Sequence, residues 1–125
     1  MKIYKLVLKA KKKGKNLRYI DIPEELQTHS NTTSFLDRYK ALDYGSVSHT
    51  VVAHISKDGH YYIHPDLRQN RSITVREAAR IQGFPDGFYF EHSRTAAFKQ
   101  IGNAVPPILS KKVAMAVIDF LGEVR

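Results

Sequence analysis

Arg71-Ser72-Ile73-Thr74-Val75-Arg76-Glu77-Ala78-Ala79-Arg80-Ile81-Gln82-Gly83-Phe84-Pro85-Asp86 carries the clearest start and stop signals of the 125-residue chain. Thr74 followed three residues later by Glu77 is a capping box: the threonine oxygen accepts a backbone N–H of the first turn, and the glutamate reaches back to the N–H of Thr74. The spacing predicts a helix from 74 through Ala78, Ala79 and Ile81. Gly83 can take the left-handed conformation that ends a helix, and Pro85 bars continuation, so the helix stops near 82. Arg76 and Arg80 then share one face, where they could hold neighbouring loops through bonds to carboxylates or backbone carbonyls.

Further along, Pro106-Pro107 suits a first helical turn, where proline loses no intrahelical bond. Val105, Leu109, Val113, Val117 and Phe120 recur at helical spacing, predicting a terminal helix over 106–121 whose apolar stripe must pack on something. Toward the N-terminus the pattern changes. Ile3, Leu6 and Leu8 alternate with lysines as in a strand, Lys11 to Gly14 reads as a turn, and a hairpin with Leu17 to Ile22 follows. Glu24 to Ser34 is polar and aperiodic, hence a loop. Ser46 to Ile55 and His60 to Ile63, rich in Val, Ile, Tyr and Thr, flank Ser56-Lys57-Asp58-Gly59, whose Asp-Gly pair predicts a second hairpin. The fold expected is therefore α+β: β-hairpins in the N-terminal half, a short capped helix near 74–82 and a terminal helix near 106–121.

Charge is concentrated at one end. Lys2, Lys5, Lys9, Lys11, Lys12, Lys13, Lys15 and Arg18 precede the first acid, Asp21, whereas the remaining twelve basic residues balance twelve acidic ones. Such an arm either lies along a phosphate backbone, where counterion release favours binding, or is a solvated tail. The absence of cysteine excludes a disulfide framework, a thiolate metal site and a cysteine nucleophile within these residues. With no long apolar run and no secretory signal, the expected setting is cytoplasmic and off the membrane. His54, His60 and His64 offer nitrogen ligands, but no acid completes a set, so no metal site is assigned.

Residues 71–86, together with Lys99-Gln100-Ile101-Gly102-Asn103-Ala104-Val105-Pro106-Pro107, resemble the ninth and tenth motifs of the DNA cytosine-5 methyltransferases. Thr50-Val51 sits where that family carries a threonine and an aliphatic residue at the end of its variable target-recognition region. The resemblance covers roughly residues 35–122 and implies the C-terminal part of an α/β methyltransferase. It divides the chain into a basic arm and polar loop at 1–34, the end of the recognition region at 35–70, and the two motifs with the terminal helix at 71–125. The tenth motif implies that Asn103, Ala104 and Val105 line a pocket for S-adenosylmethionine. The residues suit this, since an asparagine amide both donates and accepts, Ala104 is small, and Gly102 permits an unusual turn. A bare helix cap at Gly102-Asn103 is the plain alternative. The recognition region implies DNA contacts, with Thr50, Ser48, His54 and Lys57 as candidates and His49 and Asp58 beside them.

Methylation at C5 of cytosine in this family proceeds through a cysteine thiolate bonded to C6 of a flipped-out base. No cysteine, early glycine-rich loop or Pro-Cys dipeptide is present, so no residue is assigned a catalytic role. The resemblance thus implies a piece inactive alone, with DNA and a complementary chain bearing the cysteine and the glycine-rich loop as partners. A truncated relic, and a free-standing DNA-binding module using the basic arm and the second hairpin, also fit the sequence.

Overall fold

The computed structural model describes residues 2–57 and 59–123. Among these residues four helices form: α1 (Lys2–Lys12), α2 (Val75–Ile81), α3 (Arg94–Asn103) and α4 (Pro107–Glu123), with short 3-10 turns at Tyr19–Asp21, Glu24–Leu26, Ala53–Ser56 and Gly59–Tyr61. Among the described residues there is no sheet; Ile63 makes isolated bridges to Ala41 and Ser72. The expected α+β fold with β-hairpins is therefore wrong, and the chain is mainly helical.

The correction begins at the N-terminus. Ile3, Tyr4, Val7 and Leu8 are all buried, and residues spaced i, i+1, i+4 and i+5 make one helical stripe rather than a strand face. Lys9, Lys11 and Lys12 occupy the last turn, where cations complement the negative end of the helix. Gly14, at φ 72°, closes the helix in a Schellman motif: its N–H bonds to the Lys11 carbonyl at 2.9 Å and that of Lys15 to the Ala10 carbonyl at 3.0 Å. Leu17 to Ile22 contains a 3-10 turn, not the partner strand.

The second expected hairpin also fails. Tyr62 and Ile63 are adjacent yet both buried, which a strand with one solvent face does not allow. Val51 and Ile55, buried four residues apart, follow a turn rather than a pleat. Asp58 of the Asp-Gly pair lies outside the described residues.

The chain divides into two compact units, Met1–Thr50 with Lys57–Ile73, and Val51–Ser56 with Thr74–Arg125. The first unit buries Ile3, Tyr4, Val7, Leu8, Tyr19 and Tyr39 around Ile63. Tyr19 and Tyr39 stack 6.0 Å apart, with the Arg38 guanidinium 4.5 Å from the centre of the Tyr19 ring. Arg38 is only 8% exposed and donates to the carbonyls of Asn31, Ser34 and Phe35, giving a polar loop without periodicity a fixed course.

In the second unit the capping box forms as read: the Glu77 N–H donates to Thr74 Oγ1 at 3.2 Å, and the Thr74 N–H to Glu77 Oε2 at 2.7 Å. Ala78 and Ala79 are fully buried, and Gly83 ends the turn at φ 82°. Helix α3, which sequence reading missed, starts at Ser93, whose hydroxyl accepts the Ala96 N–H, and buries Ala97, Phe98 and Ile101. The turn Ala53–Ser56 packs against it. Helix α4 forms where proline and the apolar stripe place it, but buries none of its residues.

Candidate functional site

The segment from Lys99 to Pro107 ends α3, and two local features fix its path. Gln82, just after α2 and 5% exposed, donates through Nε2 to the carbonyls of Ile101 at 3.1 Å and Ala104 at 2.9 Å. One side chain thus reaches two carbonyls at the end of the helix, adding to the Ala104 N–H that the Ile101 carbonyl already accepts at 3.2 Å. Gly102 supplies the second feature. A Cβ there would lie 2.6 Å from the Val52 carbonyl oxygen and 2.8 Å from Ala53 Cα. The glycine is not in the unusual turn expected for it; it is helical, and its missing side chain lets the Val52–Ala53 backbone approach α3.

Asn103, Ala104 and Val105 follow at the surface. Asn103 is the last residue of α3 and exposed, and its amide makes no hydrogen bond among the described residues. Ala104 leaves the helix with extended backbone (φ −76°, ψ 142°), and Val105 is 61% exposed. An unengaged amide beside an exposed aliphatic residue, on a turn pinned by Gln82, fits one wall of a pocket for a ligand with polar and apolar parts. Gln82 was missed because its role rests on carbonyls some twenty residues on; asking what satisfies the end of α3 would have found it.

Ahead of α3, the ninth-motif arginines hold the segment after α2. Arg76 donates to the carbonyls of Pro85 at 3.3 Å and Phe88 at 2.9 Å, and Arg80 forms a bidentate pair with Asp86 at 2.7 and 3.0 Å. The Arg80 hydrogen bonds hold the Asp86 carboxyl below its usual range. Phe84, Phe88 and Phe90 cluster on the same segment, with centroids 4.9–5.2 Å apart.

The candidate DNA contacts divide between the units. Ser48 and Thr50 belong to the first, flanking His49, which stacks on Tyr62 at 4.8 Å; the Tyr62 hydroxyl donates to the Thr50 carbonyl at 3.0 Å. Ser48 is half-buried, its hydroxyl donating to the His49 carbonyl, and Thr50 is exposed. Burial depresses the His49 pKa, helped by the positive charges of Lys40 and Lys11 and opposed by a hydrogen bond to the Tyr61 backbone. Lys57 is exposed in the first unit and His54 exposed in the second. His60 bonds Tyr4 and the His64 Nδ1 accepts the Asp66 N–H, and no metal-ligating cluster occurs among the described residues. No helix is long and apolar enough to cross a membrane among those residues.

Residues 3–119 match the family described as C-5 cytosine-specific DNA methylase. The type II methyltransferase M.Bpa9945I of Bacillus paralicheniformis is 55% identical over 119 residues, covering 95% of this chain and 27% of that protein. The type II methyltransferase M.AgeI of Thalassovita gelatinovora is 40% identical over 95 residues, covering 76% of this chain and 22% of its own. The chain thus spans about a quarter of the length of these relatives. No solved structure matches it.

Proposed function

Since the chain belongs to the C-5 cytosine-specific DNA methylase family, we propose that it is the portion of such an enzyme that contacts target DNA and supplies one wall of the S-adenosylmethionine pocket, and that it is inactive without the remainder. The observation carrying this reading is α4. Leu109, Val113, Val117, Phe120 and Leu121 are each more than half exposed, as are Ile108, Met115 and Ile118 on other sides. Fully burying such a side chain is worth about 1.5–3 kcal/mol, and a helix apolar around most of its circumference is one built to be covered. The occupant we assign is the rest of the methyltransferase, which accounts for the three quarters of the relatives' length that this chain does not span. A free-standing DNA-binding module would instead bury the stripe on its own sheet, and the described residues contain none.

In this reading Asn103, Ala104 and Val105 face the methyl donor, whose chemistry is transfer of its sulfonium methyl group. Asn103 provides the polar anchor, and Gln82 holds the turn that presents it. Thr50, Ser48, Lys57 and His54 contact DNA. The cysteine that bonds C6 of the base, and the glycine-rich loop, come from the complementary polypeptide.

Mixing the chain with a separately produced polypeptide bearing the family's earlier motifs tests this. Labelled methyl transfer from S-adenosylmethionine to duplex DNA is expected from the mixture and from neither component. Transfer by this chain alone, or a complementary chain that ignores it, overturns the proposal. In the reconstituted pair, Asn103→Ala should weaken cofactor binding by roughly tenfold to a hundredfold in calorimetric titration, as loss of a buried polar anchor does. Unchanged affinity in a well-folded pair would reduce Asn103 to a helix cap.

A further inference from the structure

The first unit contains a cavity of about 300 Å³ that the cofactor wall does not use and that, of the candidate DNA contacts, only His49 lines. Its lining begins in α1. Val7 belongs to the core, and Lys11, one turn on along the same side, reaches the cavity half-buried. The Schellman turn at Gly14 then folds the chain back and delivers Lys15 to the same cavity. Lys40 reaches it from a backbone fixed on both sides, its N–H bonded to the His60 carbonyl and its carbonyl accepting the Ile63 N–H. Arg18 and Asp37 complete the charged lining.

The charges do not cancel. Asp37 is engaged by Lys40 at 2.6 Å, and Arg18 by Asp21 at 3.4 Å. Lys11 and Lys15 form no ion pair among the described residues, so two ammonium groups line a concave site whose one carboxylate is already taken. An anion there would relieve their repulsion while Val7, Tyr39 and Ala41 close the floor. About 300 Å³ is the small end of ligand clefts, room for a phosphate and its sugar but not for a duplex.

We propose that this cavity is a phosphate-binding site, occupied by a phosphodiester of the DNA backbone. The choice of DNA as source rests on the function proposed above; the phosphate chemistry rests on the cavity alone. The contact carries no sequence information and sets the register of the first unit on the duplex.

His49 lines the same cavity and serves as reporter, because an anion beside Lys11 and Lys40 offsets the positive field acting on its ring. The full chain is titrated with inorganic phosphate and, separately, with a short duplex, while the ring signals of His49 are followed by NMR and duplex affinity is measured against salt. Both additions should move the His49 signals and raise its pKa. In Lys11→Gln/Lys15→Gln the shifts should vanish, and the slope of log affinity against log salt should fall by about 1, as loss of one phosphate contact requires. Lys2→Gln/Lys5→Gln, which removes as much charge from α1 outside the cavity, should keep the His49 shifts. Shifts from inorganic phosphate with a silent duplex overturn the backbone assignment in favour of a free phosphate. Silence from both, or shifts that survive Lys11→Gln/Lys15→Gln, overturn the site. These readings use the chain alone, so a failed reconstitution of methyl transfer leaves them intact, and their failure leaves the reconstitution intact.

Discussion

Replacing Gly102 with alanine tests the packing on which the Asn103 turn depends. The added Cβ would meet the Val52 carbonyl oxygen at 2.6 Å, Ala53 Cα at 2.8 Å and the Val52 carbonyl carbon at 2.9 Å, all backbone atoms. Comfortable contact between carbons begins at about 3.5 Å, so one segment must withdraw by roughly 0.7 Å. Val51 and Ile55, at 4% and 3% exposure, anchor the opposing segment on either side, and its retreat would uncover them. Overpacking of this kind costs about 1–3 kcal/mol, with the upper end expected where backbone must move. Alanine recovers about 0.5–1 kcal/mol of helix propensity over glycine. The net expectation is a loss of about 2 kcal/mol, or roughly 5–10 °C in Tm. Urea unfolding followed by tyrosine fluorescence measures it. Gly122→Ala in α4 is the control, since its Cβ would meet nothing within 4 Å and should leave stability unchanged or raised. A Gly102→Ala protein as stable as the parent would refute the close approach and, with it, the reason for glycine in the motif.

Gln82→Leu keeps the volume but removes the donor shared by the Ile101 and Ala104 carbonyls, so a loss of about 1–3 kcal/mol is expected, with faster amide exchange at the end of α3; unchanged exchange there would show that the turn is held otherwise. The pH dependence of stability should carry a contribution from His49. Its pKa in the folded state lies below the usual 6.5, so the unfolded chain binds the proton more readily. That contribution is therefore fully present above about pH 6.5 and is lost as pH falls toward the folded value. Urea midpoints at pH 7.5 and 5.5 should differ more for the parent than for a folded His49→Gln variant, and equal slopes would remove His49 as the cause.

What could be read in the sequence was what is decided locally. The Thr74–Glu77 box, the stop at Gly83 and the prolines before α4 each act within one or two turns, and each produced the element expected. The failures come from longer range. The signal for α1 was present in Ile3-Tyr4 and Val7-Leu8, but reading Ile3, Leu6 and Leu8 as alternation ignored the apolar pairs one turn apart. The Val- and Tyr-rich stretches around residues 46–63 satisfied strand propensity, yet two-stranded ribbons are marginal alone, and here Val51 and Ile55 are buried four apart while the Ala53–Ser56 turn packs against α3. Helix α3 was missed because its apolar residues are few and small apart from Phe98 and Ile101. At the candidate site, Asn103, Ala104 and Val105 are nominated by the motif alone. The reason for Gly102 was not, because it lies in the Val52 carbonyl, fifty residues earlier.

The division of the chain into units has a consequence for its synthesis. The backbone leaves the first unit after Thr50, returns after Ser56 and leaves again after Ile73, so the six residues between are a loan from the first half to the second. On a ribosome adding about 5–20 residues per second, the Ala53–Ser56 turn emerges seconds before the α3 surface it packs against exists. The first unit can gather its own core around Ile63 in that interval, whereas the second can close only after Ile101 and Gly102 have been made. No single cut in the polypeptide separates the two, and a domain swap at Ile73 would carry the wrong hexapeptide into the new partner.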